Sequence, residues 1–127
     1  MPEKVNVVYI TFDGITDPLG QSQILPYLEE LNKKEVKFYL ISLEKNLKKA
    51  KQISKSIENI GIHWYRLKYF KIRFLGAAIN EIQCFFLVLY LSLFKNIKIV
   101  HARSCLSLFP PLFLKRLFNF KLIFDMR

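Results

Sequence analysis

Apolar and polar positions along this chain fall into two alternating kinds of block. Residues 5–12 are nearly continuous in apolar, β-branched side chains, the pattern of a strand buried on both faces. A polar loop, 13–21, follows, and then Ile24, Leu25, Leu28 and Leu31 recur at helical spacing to about Lys34. Ser22 is the expected N-cap of that helix, with Pro26 in the first turn, where a missing N–H costs least. Residues 36–43, VKFYLISL, repeat the strand pattern. Residues 46–60 read as a lysine-rich helix with Leu47, Ala50, Ile53 and Ile57 inward and Gly61 as its C-terminal cap. A third strand is expected at 62–67, then a basic aromatic loop, KYFKIRFLG, at 68–76. A long helix at 77–94 and a fourth strand at 97–102 come next. The run RSCLSLFPPLFLKRLFNF reads as a helix disturbed at its start by Pro110 and Pro111, and 121–125 as a fifth strand.

Strands that alternate with helices need crossover connections, which are right-handed in nearly all parallel sheets. The expected fold class is α/β, an open, Rossmann-like, doubly wound parallel sheet. At 127 residues the chain is one domain at most. It stops at Arg127, at the tip of the fifth strand and before any helix to cover it, which predicts a piece of a longer protein.

Charge adds a second theme. The formal net charge is +10, and residues 45–73 hold nine Lys or Arg against one acid, Glu58. Such a segment attracts nucleic acid, anionic headgroups or phosphorylated substrates; the plain alternative is a solvated lysine-rich surface. Cys84 and Cys105 lie in apolar runs without metal spacing and read as buried free thiols of a reducing compartment. The opening MPEKVNVVYI has too short an apolar run and too early an acid for a signal peptide. The longest uncharged run, IQCFFLVLYLSLF at 82–94, makes about 20 Å of helix against a hydrocarbon core of roughly 30 Å. It reads as a buried helix, with partial insertion or interfacial contact as the alternative.

Candidate chemistry gathers at the carboxyl ends of the strands, where open α/β sheets bind ligands. Gly14 and Gly20 let the first loop approach a ligand closely, and the first N–H groups of the next helix, near 21–23, form an anion site. The loop is neither a GxGxxG fingerprint nor a GxxxxGK[ST] phosphate loop. Ser42 to Lys45, the HARS run from His101 to Ser104, and Asp125 with Arg127 end the other strands facing the same crevice. Arg103 and Arg127 suit bidentate phosphate binding, and Asp125 suits a hydroxyl contact or a base. His101 is taken to alternate with Arg103, so that one of them faces the crevice; His101 and His63 read more simply as structural. The candidate substrate and phosphate-binding residues are Gly14, Asp17, Gly20, Gln21, Ser22 and Arg103, and the catalytic candidates are Asp125 and Arg127.

The runs YITFDGITDPLGQSQILPYLEEL, YLISLEK and VHARSCLSLFPPLFLKRLFNFKLIFDMR resemble the N-terminal domain of family 4 glycosyltransferases, the retaining GT-B class, over nearly the whole chain. The resemblance implies two Rossmann-like domains across a cleft, of which this chain is the acceptor-side N-terminal half, truncated before the donor-binding domain. It implies metal-independent sugar transfer without a cofactor, a nucleotide-sugar donor, a glycan or lipid-linked acceptor, and work often done at a membrane surface. The Gly20 loop would approach the donor diphosphate and acceptor. Arg127 stands near where many relatives carry a histidine, so a histidine role there does not transfer. The acidic ExxxxxxxE motif of the second domain is absent, and the fragment alone is expected to be inactive. The basic 45–73 segment with Trp64, Tyr65, Tyr69, Phe70 and Phe74 suits an anionic bilayer or a lipid-diphosphate acceptor. That predicts a cytoplasmic protein, peripheral at the inner face of the cell membrane. The competing reading is a non-catalytic module that binds anionic membrane or phosphorylated ligands through the basic patch. Nucleic acid is disfavoured, because neither an aromatic RNA-binding pattern nor a helix-turn-helix is present.

Overall fold

Two adjacent apolar runs make the centre of the sheet. β1 (Val5–Thr11) and β2 (Val36–Glu44) pair in parallel from Val5 opposite Val36 to Thr11 opposite Ser42, and their carboxyl-terminal halves are buried on both faces. In the computed structural model the described residues are 5–12, 14–16, 21, 24–34, 36–71, 75–103 and 105–124, the side chains of 105–108 excepted. β3 (His63–Lys68) joins β2, β4 (Ile99–Ala102) joins β1, and β5 (Lys121–Phe124) joins β4, every pair parallel. The order is β3-β2-β1-β4-β5, the doubly wound arrangement expected from the alternation of strands and helices.

Side-chain alternation along each strand splits the core in two. Val7, Tyr9, Phe38, Leu40 and Trp64 point to one face, where Leu28 of α1 (Leu25–Asn32) and Ala50 and Ile57 of α2 (Leu47–Ile60) cover them. Val8, Ile10, Tyr39, Ile41 and Val100 point to the other, beneath Cys84, Val88 and Leu91 of α3 (Leu75–Phe94) and Leu114 of α4 (Cys105–Leu114). The Cys84 thiol is free and fully buried, and burial pushes its pKa up to about 12. The side chain of Cys105 lies outside the described residues.

The helix ends follow local chemistry, with corrections. α2 is capped by the Asn46 side chain, which accepts from the Lys49 N–H at 3.0 Å, and ends on Gly61 at φ 101°, a conformation that favours glycine. The N-cap of α1 is Ile24, not Ser22, which itself lies outside the described residues; Ile24 is already helical in φ and ψ and no side chain caps the end. Pro26 does lie in the first turn. Pro110 and Pro111 sit inside α4 rather than at its start, and the helix stops at Leu114, where the Leu114 carbonyl accepts from both Leu117 and Phe118.

α3 begins two residues earlier than its apolar spacing suggests. Gly76 falls in its first turn because a Cβ there would stand 2.5 Å from the Phe70 carbonyl oxygen. Buried Asn80 then holds the same residue by both backbone groups: the Phe70 N–H donates to Oδ1 at 3.1 Å, and Nδ2 donates to the Phe70 carbonyl at 3.3 Å. Gln83 Nε2 donates to the Lys68 carbonyl at 3.0 Å, so one helix face fixes the exit of β3.

Two expectations about surfaces change. Residues 45–73 do not form one basic aromatic surface: α2 and its lysines cover one face of the sheet, while Lys68 and Lys71 lead into α3 on the other. Trp64 is not available to a bilayer at all; it is buried, and its indole N–H donates to Ser42 Oγ at 2.8 Å. α3 is not a fully buried helix either. Gly76, Asn80, Cys84, Val88 and Leu91 make one buried stripe, and large apolar side chains on the other side stand in solvent.

Candidate functional site

β1 and β4 are neighbours, but the helices that follow them pack on opposite faces. The chain segments leaving their carboxyl ends therefore diverge, and this is the switch point of the sheet, the place where open α/β sheets bind ligands. On one side is the loop after β1; on the other is Arg103, directly after β4.

The loop is built around a carboxylate. Glu44 closes β2, a largely apolar strand, and is fully buried. A buried carboxylate needs several donors. Its Oε2 accepts from the Ile15 N–H at 2.8 Å and from Ser42 Oγ at 2.5 Å. Its Oε1 accepts from the Thr16 N–H at 3.2 Å and from Thr16 Oγ1 at 2.9 Å. The chain Trp64 to Ser42 to Glu44 runs on from β3 through β2 into this loop. Ile15 is anchored in the core beside Ile24 and Leu28, and Gln21 Nε2 reaches back to the Ile15 carbonyl at 2.7 Å. The loop is thus tied to β2 at one end and to the approach of α1 at the other.

Arg103 is buried, and its backbone N–H donates to the Ile10 carbonyl at 3.0 Å, carrying the β1–β4 pairing one residue past Ala102. A guanidinium does not deprotonate in proteins, so a permanent positive charge sits at the switch point. Residues two apart on a strand share a face, so His101 and Arg103 do not alternate as expected. The half-buried His101 ring packs 4.7 Å from Tyr9 and 6.2 Å from Tyr27, on the α1 side of the sheet. His63 is exposed on the edge strand and stacks on Tyr39 at 5.0 Å; partial burial, then Lys37 and Lys95, lower its pKa.

Of the residues proposed from sequence, Gly14 is buried in the loop, Gln21 braces it, and Arg103 lies beside the end of β1. Asp17, Gly20, Ser22, Asp125 and Arg127 lie outside the described residues. Glu44 and Thr16 were missed as the organisers of the loop. The signal available was a lone acid ending a strand otherwise buried, a position that demands donors from elsewhere in the fold. The loop amides at Ile15 and Thr16 consequently serve the protein's own carboxylate. Among the described residues no three His, Cys, Asp or Glu side chains are grouped to hold a metal ion.

No family model and no curated protein matches this sequence. Among solved structures, a glycosyltransferase from Rickettsia africae ESF-5 superposes with a TM-score of 0.59 at 14% identity, over 95% of this chain and 29% of that one. The chain thus spans less than a third of the length of that protein. At this identity the likeness is one of fold: a five-stranded parallel α/β sheet similar to part of a glycosyltransferase.

Proposed function

We propose that this chain is the N-terminal, acceptor-side Rossmann-like part of a GT-B glycosyltransferase of the retaining family 4 type. The single observation that carries the reading is the switch point between β1 and β4, with the loop after β1 locked by Glu44 and Arg103 buried directly after β4. The fold likeness over 95% of the chain supports it. In this reading a second domain brings a nucleotide-sugar, and the switch point holds a glycan or lipid-linked acceptor against it.

Transfer builds charge on the departing diphosphate, and fixed cations and backbone donors stabilise that charge best when they are already in place. Arg103 takes that role here rather than the Ile15 and Thr16 amides, which Glu44 occupies. In this reading Asp17, Gly20, Gln21 and Ser22 are the candidate substrate contacts, and Asp125 and Arg127 the catalytic candidates. Glu44 is a positioning residue: it sets the loop and does not meet substrate.

The test is release of UDP or GDP from a panel of nucleotide-sugars by the full-length protein encoded around this chain. Arg103→Lys, with its melting temperature checked, should cost about 10²-fold in kcat/KM, the scale for a misplaced oxyanion donor. A folded full-length protein that releases neither nucleotide from any donor defeats the proposal.

A further inference from the structure

The face made by α3 and α4 is built differently from the rest of the surface. A helix on a soluble domain normally turns charged residues to water. Here 75–94 contains a single charged residue, Glu81, and 105–114 contains none. Among the described residues α3 is the one helix long and apolar enough to cross a membrane. Its buried stripe nevertheless packs on the sheet, so it cannot be surrounded by lipid without stripping the fold. What it offers instead is an outward face. Phe86 is 61% exposed and Phe113 67%, and with Ile82 and Phe109 they border an open groove of about 730 Å³ between the helices. An apolar area of this kind marks an interaction surface.

The surrounding charge selects the occupant. From residue 59 to residue 124 ten Lys and Arg stand against one acid, Glu81, and Glu81 lies in the groove itself. Lys68 and Lys71 precede α3, Lys95 and Lys98 follow it, and Lys115 and Arg116 follow α4. Cations therefore stand at both ends of α3 and at the carboxyl end of α4. A second copy of the chain seated here would bring two such sets of cations together. An anionic bilayer presents the reverse pattern, negative headgroups over an apolar interior. Tyr90, half exposed on α3, has the amphipathic ring that suits the headgroup level.

We propose that the α3–α4 face docks on an anionic lipid bilayer, its phenylalanines at the headgroup–acyl boundary and its flanking lysines among the headgroups. The lysines of α2, on the opposite side of the sheet, take no part. This is a different surface from the basic 45–73 segment, and it does not depend on the sugar-transfer reading.

The experiment is co-sedimentation of the full-length protein with vesicles of phosphatidylcholine alone and of phosphatidylcholine with phosphatidylglycerol in equal parts. The wild type should pellet with the mixed vesicles. Phe86→Glu with Phe113→Glu, both on solvent-exposed positions, should lower the partition coefficient at least about tenfold, as expected from moving two buried rings out of the interface. Lys95→Glu with Lys98→Glu should abolish the preference for phosphatidylglycerol, and Lys48→Glu with Lys51→Glu should leave binding unchanged. Circular dichroism checks that each variant is folded. Wild-type protein that stays in the supernatant with both vesicles overturns the proposal. So does equal binding by the phenylalanine variant. A soluble dimer that the phenylalanine variant dissociates also overturns it, because a second copy then covers this face.

Discussion

The Glu44 carboxylate accepts the backbone N–H of Ile15 at 2.8 Å, joining the end of β2 to the loop after β1 across 29 residues of sequence. The bond belongs to a set in which the same carboxylate also takes Thr16 and Ser42, and all of it is buried. Charge-assisted bonds of this kind are shorter and stronger than neutral ones, and the cost of losing them is dominated by the donors left behind.

Glu44→Gln should therefore destabilise the fold by about 2–3 kcal/mol, since an amide turns donor against donor and orphans at least one buried N–H. Urea unfolding measures the loss. Amide exchange locates it: Ile15 and Thr16 should lose protection ahead of the β1–β2 ladder. A change below about 0.5 kcal/mol, the range of an ordinary surface substitution, would show that the loop holds itself without the carboxylate.

The turn from β3 into α3 gives a second expectation. Gly76→Ala drives a Cβ to 2.5 Å from the Phe70 carbonyl oxygen, a backbone atom, and should cost about 1–3 kcal/mol as an overpacked position. Asn80→Ala leaves both backbone groups of Phe70 without the amide that holds them and should cost about 2 kcal/mol. Because both changes act through Phe70, the double variant should lose less than the sum. Strict additivity in thermal or urea unfolding would mean that the two residues act on separate features.

Glu81 gives the pH dependence. Its two carboxyl oxygens are shielded without a hydrogen-bond partner, and burial raises its pKa from 4.5 to about 7. The α4 side chains that share its groove, Phe109, Pro110 and Phe113, carry no charge, and the nearby Cys84 thiol stays protonated, its pKa at about 12. A carboxyl whose folded pKa is raised binds its proton more tightly folded than unfolded. Its contribution to stability is thus fully present below pH 4.5 and is lost as pH rises toward about 7. Glu81→Gln should flatten that fall and leave the variant the more stable protein at pH 8, by about 1 kcal/mol once solvent screening of a half-exposed group is allowed for. Parallel stability–pH curves for the two proteins would count against it.

Much of the fold was legible because its signals are local. Val5 to Thr11 and Val36 to Glu44 are largely apolar runs, and Gly61 ends a helix whose inner face reads plainly from Ala50 and Ile57. The site was legible only in part. The switch point, Arg103 and the loop follow from topology, whereas the partner of the loop amides lies 28 and 29 residues away on another strand. Trp64 misled as a surface aromatic in a basic stretch because its indole N–H is satisfied by Ser42, a residue no local pattern links to it.

The sequence by itself determined the succession of strands and helices and, through the crossover rule, a parallel doubly wound sheet, because periodicity and capping act within one or two turns of chain. Only the tertiary structure decided which face each helix covers, since a crossover to either side leaves the same apolar spacing. That choice sets the lysines of α2 opposite the exposed phenylalanines of α3 and α4. It also brings a carboxylate from β2 to the amides of the first loop, where a reading of the sequence had left room for a ligand.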